Sequence, residues 1–184
     1  PRDLHSFPTR RSSDLRKAVI DTERLVRKAA AYGIDAAPVV RKLDEYAALL
    51  VEYNQKVNLT AITDAEGIED RHFIDSLLLA ARPEVCGRMV DVGTGAWFPG
   101  IVAKLFRPEL DLTLMEPTGK RVDFLKYACS ALGVEAEFAK ERAEEAARKQ
   151  WRESFDVATA RAVAALPVLA EYCLPLLRRG GVFI

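Results

Sequence analysis

A chain of 184 residues, 49% of them apolar and 29% charged, can bury one sizeable core and is typical of a globular protein. The 27 basic and 27 acidic residues balance, which excludes an overall basic field, so any contact with nucleic acid has to be local. No apolar run reaches the roughly 20 residues that span a bilayer. The three cysteines lack zinc-site spacing and are odd in number. We expect a cytoplasmic protein with no metal and no membrane partner.

The two ends of the chain differ from the rest. The stretch SFPTRRSSDL, Ser6 to Leu15, resembles the translation of a sequencing-library adapter, and we set residues 1–15 aside as a non-native segment. A disordered basic tail is the alternative, with the same consequence for the fold. The chain stops in RRGGVFI, a turn entering a strand, so we expect a C-terminally truncated fragment.

Helical periodicity dominates residues 16–85, which we interpret as an N-terminal helical extension. The first helix is predicted from Lys17 to about Gly33, where the glycine is a suitable stop. A second helix begins near Pro38, and a third runs from about Asp64 to Pro83.

Short apolar runs alternate with helical stretches in residues 86–184, a pattern typical of βαβ units around a mostly parallel sheet. The predicted strands are RMVDV (88–92), DLTLME (111–116), VEAEF (134–138), FDVATA (155–160) and GGVFI (180–184). The predicted helices run from about Gly100 to Arg107, Lys120 to Leu132, Arg142 to Lys149 and Leu166 to Leu177. We therefore expect an α/β core that is incomplete at the C-terminus.

The stretch VDVGTGAWFPG after the first predicted strand is the candidate ligand loop. Gly93 and Gly95 let the backbone approach a ligand closely, and ligands of such sheets bind beyond the strand ends. Glu116 closes the second strand, where a carboxylate can accept both hydroxyls of an adenosyl ribose. A plain turn is the alternative for the glycine pair alone. A dinucleotide fingerprint would need a third glycine where Phe98 stands, so Asp-x-Gly-x-Gly favours S-adenosylmethionine.

Four segments, in order along the chain, carry a more specific resemblance. They are YNQKVNLTAITD (53–64), RHFIDSLLL (71–79), DVGTGAWFPGI (91–101) and EPTGKRVDFL (116–125), with a weaker fifth, FDVATARAVA (155–164). Together they resemble the small-subunit ribosomal RNA guanine-N7 methyltransferase family, also called glucose-inhibited division protein B. The resemblance implies a class I S-adenosylmethionine-dependent methyltransferase fold, Rossmann-like, behind a helical extension. It also implies N7-methylation of a guanine in 16S ribosomal RNA, with that RNA or the small ribosomal subunit as partner; we expect a monomer.

The resemblance further implies roles for individual residues. Gly93 and Phe98 would line the methionine and adenosine side of the cofactor, and Ala143 and Glu144 would read the adenine edge. Arg161 would face the transferred methyl and contact both cofactor and RNA. The full cofactor-binding set expected is Gly93, Gly95, Phe98, Glu116, Ala143, Glu144 and Arg161.

Guanine N7 carries a lone pair and no proton, so the reaction needs no general base and we expect no catalytic dyad. Orientation and proximity would supply most of the acceleration.

RNA would be contacted by local side chains. The RNA-binding candidates are Lys56, Arg71, His72, Lys120, Arg121 and Arg161. Two of these assignments have alternatives: Lys120 and Arg121 would form only a solvated first helical turn, and His72 would hydrogen-bond Asp75 to fix the third helix to the core.

Trp97 departs from the family, which has glycine at this position. An indole there would obstruct the pocket or force a positive φ on a residue that tolerates it poorly, so we expect an intact fold with reduced cofactor affinity. A sequencing error is the alternative. Two other functions stay open: a module that binds S-adenosylmethionine or RNA without turnover, and a Rossmann-like dinucleotide-dependent enzyme.

Overall fold

The computed structural model describes residues 18–57, 60–93, 98–161 and 164–184. The five strands found in these ranges are β1 (Arg88–Val92), β2 (Asp111–Met115), β3 (Glu137–Ala139), β4 (Phe155–Ala160) and β5 (Leu177–Phe183). The helices are α1 (Thr22–Ala30), α2 (Val40–Val57), α3 (Ala65–Gly67), the π-helix π1 (Ile68–Ile74), α4 (Asp75–Ala80), α5 (Gly100–Phe106), α6 (Gly119–Leu132), α7 (Ala143–Ala146) and α8 (Leu166–Cys173). Within the described part of the chain, none of the helices is both long and apolar enough to cross a membrane.

The strands form one sheet in the order β3-β2-β1-β4-β5, and every pair of neighbours is parallel. Val92, the last residue of β1, lies opposite Met115 of β2 and Ala160 of β4. The strand order reverses between β1 and β4, so a ligand crevice is expected at their carboxyl ends. The α/β class with a mostly parallel sheet is confirmed.

The N-terminal helix α1 starts later than its periodicity predicts. Asp21 is its N-cap, with a side-chain oxygen that accepts the N–H of Arg24 at 2.9 Å. The N–H groups of residues 19 and 20 donate to Asp44 Oδ1 at 2.8 and 3.1 Å instead of entering a helix. The predicted start at Lys17, which lies outside the described residues, is therefore wrong because residues 18–20 are not helical.

The third predicted helix is one uninterrupted helical run made of α3, π1 and α4. Its N-cap is Asp64, whose side chain accepts the N–H of Gly67 at 2.7 Å, and the run extends from Ala65 to Ala80. Seven residues of this run, Ile68–Ile74, are π-helical. A wider helical register cannot be read from apolar spacing, and such segments are frequent at functional sites.

Three further boundaries differ from prediction for local reasons. The strand predicted at 134–138 starts at Glu137, because Gly133 turns the chain at φ 65° and the N–H of Val134 returns to Cys129. Helix α7, predicted to reach Lys149, ends at Ala146, and the chain continues there in turns. The helix predicted to end at Leu177 stops at Cys173, because Pro175 has no N–H and lies in a short 3₁₀ turn. Strand β5 begins directly after this turn, at Leu177 and not at Gly180 as predicted.

The N-terminal helices pack on one face of the sheet and share its core. One hydrophobic cluster contains Leu43 and Phe73 from the N-terminal helices together with Ile101 and Phe124 from α5 and α6. A second cluster on the other face is built around Val90, Met115, Phe155 and Leu176. The sheet is thus covered on both sides, as parallel sheets require.

Candidate active site

The glycine loop after β1 starts at Gly93. Gly93 has φ +63°, a conformation that glycine adopts without strain, and its N–H donates to the oxygen of Met115 at 2.8 Å. Gly95 and Trp97 lie outside the described residues, so the expectations on both stay predictions. The residues on both sides of this gap are nevertheless described, and Gly100 after it contacts a buried carboxyl group.

That group is Asp91, which was not among the predicted site residues. It is fully buried in β1, and its Oδ2 accepts the N–H of Gly100 at 2.8 Å while its Oδ1 has no hydrogen-bond partner. Burial raises the pKa of Asp91 to about 7, opposed by the Gly100 N–H and the charge of Arg161. A Cβ on Gly100 would lie 2.7 Å from Oδ2, so this position needs glycine. Asp91 is the first residue of the Asp-x-Gly-x-Gly motif, so the motif could have identified it from the sequence.

Glu116 lies beside this loop at the end of β2. Its side chain is buried, and its Oε1 accepts the N–H of Thr118 at 2.9 Å. Its Oε2 has no hydrogen-bond partner and lies 3.7 Å from Nη1 of Arg121. Arg121, predicted as an RNA contact, therefore pairs with the carboxylate, and one carboxylate oxygen keeps its capacity to accept hydrogen bonds.

Phe98, predicted to line the cofactor, directs its side chain into the core. It is 4% exposed and lies 5.2 Å from Tyr46 and 5.8 Å from Phe73 between ring centroids. The imidazole of His72 stacks on it at 4.4 Å. The backbone of Phe98 is what remains to face a ligand.

His72 is buried as well, with 5% exposure. Its Nε2 is 3.3 Å from Thr60 Oγ1, and its Nδ1 has no partner. Burial, followed by the charge of Arg161, lowers the pKa of His72 to about 4, so the imidazole is neutral near pH 7. The suggested His72–Asp75 hydrogen bond is wrong, because Asp75 bonds elsewhere. In this conformation the covered imidazole is not accessible to RNA.

Arg161 follows β4 and reaches across to the third helical run. Its Nη2 donates to the backbone oxygen of Arg71 at 2.7 Å, and its Nη1 is 3.1 Å from Asp75 Oδ2 and 3.5 Å from Ser76 Oγ. The helical run is therefore fixed to the core as suggested, but by Arg161. Sequence reasoning missed Asp75 and Ser76 as partners of Arg161 because no local pattern links residues so far apart.

Ala143 and Glu144 open α7, which follows β3. Ala143 is buried, and the Glu144 carboxylate is 3.8 Å from Arg142 Nη1. The first N–H groups of a helix have no acceptor within the helix, so those of Ala143 and Glu144 are not used by the hydrogen bonds of α7. The structure thus brings a donor and a carboxylate together beyond β3.

The remaining RNA candidates lie at the surface. Lys56, Arg71 and Lys120 are exposed, and within the described ranges Lys56 and Lys120 form no ion pair. Lys140, which was not predicted, lies beside the start of α6, since a Cβ on Gly119 would be 3.1 Å from its Nζ. No group of three or more His, Cys, Asp or Glu side chains able to hold a metal occurs in the described part of the chain.

Solved structures share this fold at low sequence identity. A candidate caffeoyl-CoA O-methyltransferase from Staphylococcus aureus superposes with a TM-score of 0.55 and 15% identity, covering 88% of this chain and 70% of that one. A candidate protein-L-isoaspartate O-methyltransferase from Plasmodium falciparum, solved with S-adenosyl-L-homocysteine, gives 0.52 and 14%, covering 92% and 84%. These likenesses support the fold class of S-adenosylmethionine-dependent methyltransferases.

Sequence relatives are much closer. Ribosomal RNA small subunit methyltransferase G of Moorella thermoacetica is 46% identical over 79% of this chain, and that of Alkaliphilus metalliredigens is 48% identical over 79%. The chain spans 62% of the length of each. That of Caldanaerobacter subterraneus is 44% identical over 88% of this chain and 70% of its own length. The model of the GidB family, rRNA small subunit methyltransferase G, matches residues 39–184. A match over most of the chain, with relatives at these identities, shows that the chain belongs to this family.

Proposed function

We propose that the chain binds S-adenosylmethionine and methylates N7 of a guanine in 16S ribosomal RNA. One observation carries the proposal: in a chain of this family, Gly93, Glu116 and Arg161 each directly follow one of three adjacent strands, at their carboxyl ends. These ends lie at the reversal of strand order, where parallel α/β sheets bind ligands. The relatives are named for small-subunit ribosomal RNA methylation, which supports the substrate class.

The donor groups fit the proposed cofactor. The buried Oε2 of Glu116 has no hydrogen-bond partner and only a 3.7 Å ion pair with Arg121, so it is a suitable acceptor for ribose hydroxyls. The N–H of Ala143, which has no acceptor within α7, would donate to the adenine ring, and the Glu144 carboxylate would accept from the adenine amino group. Gly93 and Phe98 would contribute backbone, and Gly95 belongs to the proposed set by family resemblance. Arg161 completes it at the end of β4.

The chemistry places few demands on proton transfer. The cofactor, when bound, would supply an electrophilic methyl group on a sulfonium. Since guanine N7 has a lone pair and no proton, the protein has no proton to remove and no side chain is assigned as a general base. The chain's residues would act by holding both reactants in line, and orientation of this kind supplies large rate factors.

RNA would be held by local cations, because the net charge of the chain is zero. Lys120 lies in the first turn of α6 and Lys140 directly follows β3, with its Nζ beside Gly119 at the start of α6, next to the proposed cofactor pocket. Lys56 and Arg71 are exposed and suited to phosphate contacts, which position RNA without reading its sequence. Arg121 and His72 rank behind them because one is paired and the other buried.

Calorimetry with S-adenosylmethionine tests the pocket. Glu116→Ala removes the ribose acceptor and is expected to weaken binding at least tenfold, since each hydrogen bond to a charged group contributes roughly 1.5–3 kcal/mol. Glu137→Ala, an exposed acid on neighbouring β3, is the matched control and should bind as the unmodified chain does. Equal dissociation constants for both variants would reject the assignment of Glu116. Binding of NAD without S-adenosylmethionine would favour the dinucleotide enzyme.

Methyl transfer is tested with labelled S-adenosylmethionine and small ribosomal subunits from a strain that lacks the modification. Label at guanine N7 is the expected result. Sound cofactor binding without label in RNA would support the alternative of a binding module. Naked 16S RNA run in parallel shows whether the assembled subunit is required.

A further inference from the structure

The guanidinium of Arg161 is held by three acceptors, all of them on one helical run. They are the backbone oxygen of Arg71 at 2.7 Å, Asp75 Oδ2 at 3.1 Å and Ser76 Oγ at 3.5 Å. The run passes from π-helix to α-helix at Asp75, between the first and last of these acceptors. The N-terminal helices thus reach a side chain at the carboxyl end of β4.

Stability does not account for this arrangement. Side-chain exposure is 31% for Arg161 and 57% for Asp75, and ion pairs exposed to this degree contribute little to folding. Fixing the long arginine side chain also costs rotamer entropy. The contacts do provide orientation, because a planar guanidinium that is hydrogen-bonded at both Nη1 and Nη2 cannot rotate freely.

The held guanidinium also acts on the groups around the crevice. Burial raises the pKa of Asp91 in β1 and lowers that of His72 in π1, and the charge of Arg161 opposes the first shift and adds to the second. Arg161 follows β4, whose last residue pairs with the last residue of β1, so its charge acts on whatever occupies the crevice between these two strand ends. Asp75 is the anion nearest to this cation in the structure's ion pairs.

We propose that Asp75 is a positioning residue that fixes Arg161 in the methyl-transfer site and balances its charge. The inference rests on the proposed function, since it takes the crevice to be the cofactor site. S-adenosylmethionine carries a positive sulfonium, whereas S-adenosylhomocysteine is a neutral thioether at the same position. An Arg161 without its carboxylate would repel the first and leave the second unaffected.

The test compares Asp75→Asn with Asp70→Asn in the full chain. Asp70 lies on the same helical run, is similarly exposed, and pairs with Lys28 at 2.6 Å, away from Arg161. We expect Asp75→Asn to lower kcat for methyl transfer about tenfold, because small misplacements at a reacting centre cost factors of this size or more. It should also weaken S-adenosylmethionine binding several-fold while the affinity for S-adenosylhomocysteine changes less than twofold. KM for RNA, the melting temperature and all values for Asp70→Asn should stay close to those of the unmodified chain.

A structural readout separates this inference from the proposed function. In arginine side-chain NMR, the Hη protons of Arg161 should be resolved in the unmodified chain and in Asp70→Asn, and averaged in Asp75→Asn. Asp75→Glu, which keeps the charge, should restore part of kcat. Absence of methyl transfer by the unmodified chain would reject the proposed function, and the NMR comparison would still decide whether Asp75 holds Arg161. Unchanged Hη signals, or equal loss of activity in both Asn variants, would overturn the positioning role.

Discussion

The imidazole of His72 lies flat on the phenyl ring of Phe98, with ring centroids 4.4 Å apart and ring planes 3° apart. This stack joins π1 of the N-terminal helices to the residue at which the glycine loop returns to the core. Both rings are at least nine-tenths buried, and Tyr46 and Phe73 pack against Phe98. Because the buried imidazole is neutral, its protonation would make the stability of this contact, and of the folded chain, depend on pH.

His72 is expected to lower stability as the pH falls. Its pKa is lowered from 6.5 to about 4, so between these values the unfolded chain binds a proton that the folded chain does not. The contribution is lost from pH 6.5 downward and amounts to about 2 kcal/mol by pH 5. His72→Phe keeps the ring stack and removes the titrating imidazole, and with it this pH-dependent contribution to stability. Its free energy of unfolding in urea, compared at pH 6.5 and 5, should therefore fall less than that of the unmodified chain, or rise; an equal pH dependence would contradict the prediction.

Asp91 is expected to act in the opposite direction over the same interval. Its pKa is raised from 3.8 to about 7, so the folded chain binds the additional proton and its stability rises as the pH falls. The gain from pH 6.5 to 5 is again about 2 kcal/mol. Asp91→Asn, which can still accept the Gly100 N–H, should therefore lose stability on acidification more steeply than the unmodified chain. A slope unchanged by this substitution would show that Asp91 stays ionised when buried.

Arg24 should be required for the stability of the helical segment. It donates to both oxygens of Glu69 at 2.7 and 2.8 Å, and Glu69 is fully buried and also accepts the N–H of Asp21. Arg24→Ala leaves a buried carboxylate that, among the described residues, only Lys28 at 3.5 Å can partly balance, so a clear loss of stability is expected. Arg27→Ala, on the exposed side of the same helix, is the control in urea denaturation. Equal losses in the two variants would count against a specific role for the pair.

Gly100→Ala should damage the loop. The added Cβ would lie 2.7 Å from Asp91 Oδ2 and 2.8 Å from Leu114 Cδ2, both in the packed core. We expect a loss of roughly 2 kcal/mol, as for other overpacked sites, together with weaker cofactor binding because Asp91 must move. Gly119→Ala is the matched control: its Cβ would meet only the mobile end of Lys140 at 3.1 and 3.4 Å. Comparable stability of the two variants would mean that the Asp91 region yields more easily than its packing suggests.

Local patterns were sufficient for most of the fold. Strands β1 and β4 have the predicted bounds, and α6 begins one residue before its prediction, because apolar runs of strand length and a stripe ending in glycine are properties of the neighbouring sequence. The same holds for Gly93, which follows the first predicted strand, and for Glu116, which was predicted to close the second strand and directly follows β2. Prediction failed where long-range contacts compete, as at the start of α1, where Asp44 takes the N–H groups of residues 19 and 20.

The sequence by itself determined the α/β class, the family and the strand ends at which the candidate site lies. Only the tertiary structure decided what the site residues touch: that Phe98 turns into the core, that Arg121 pairs with Glu116, and that Arg161 is held by Asp75. The physical reason is that periodicity records which face of an element is buried. The partner across a packed interface depends on how distant segments meet, and no spacing along the chain encodes that.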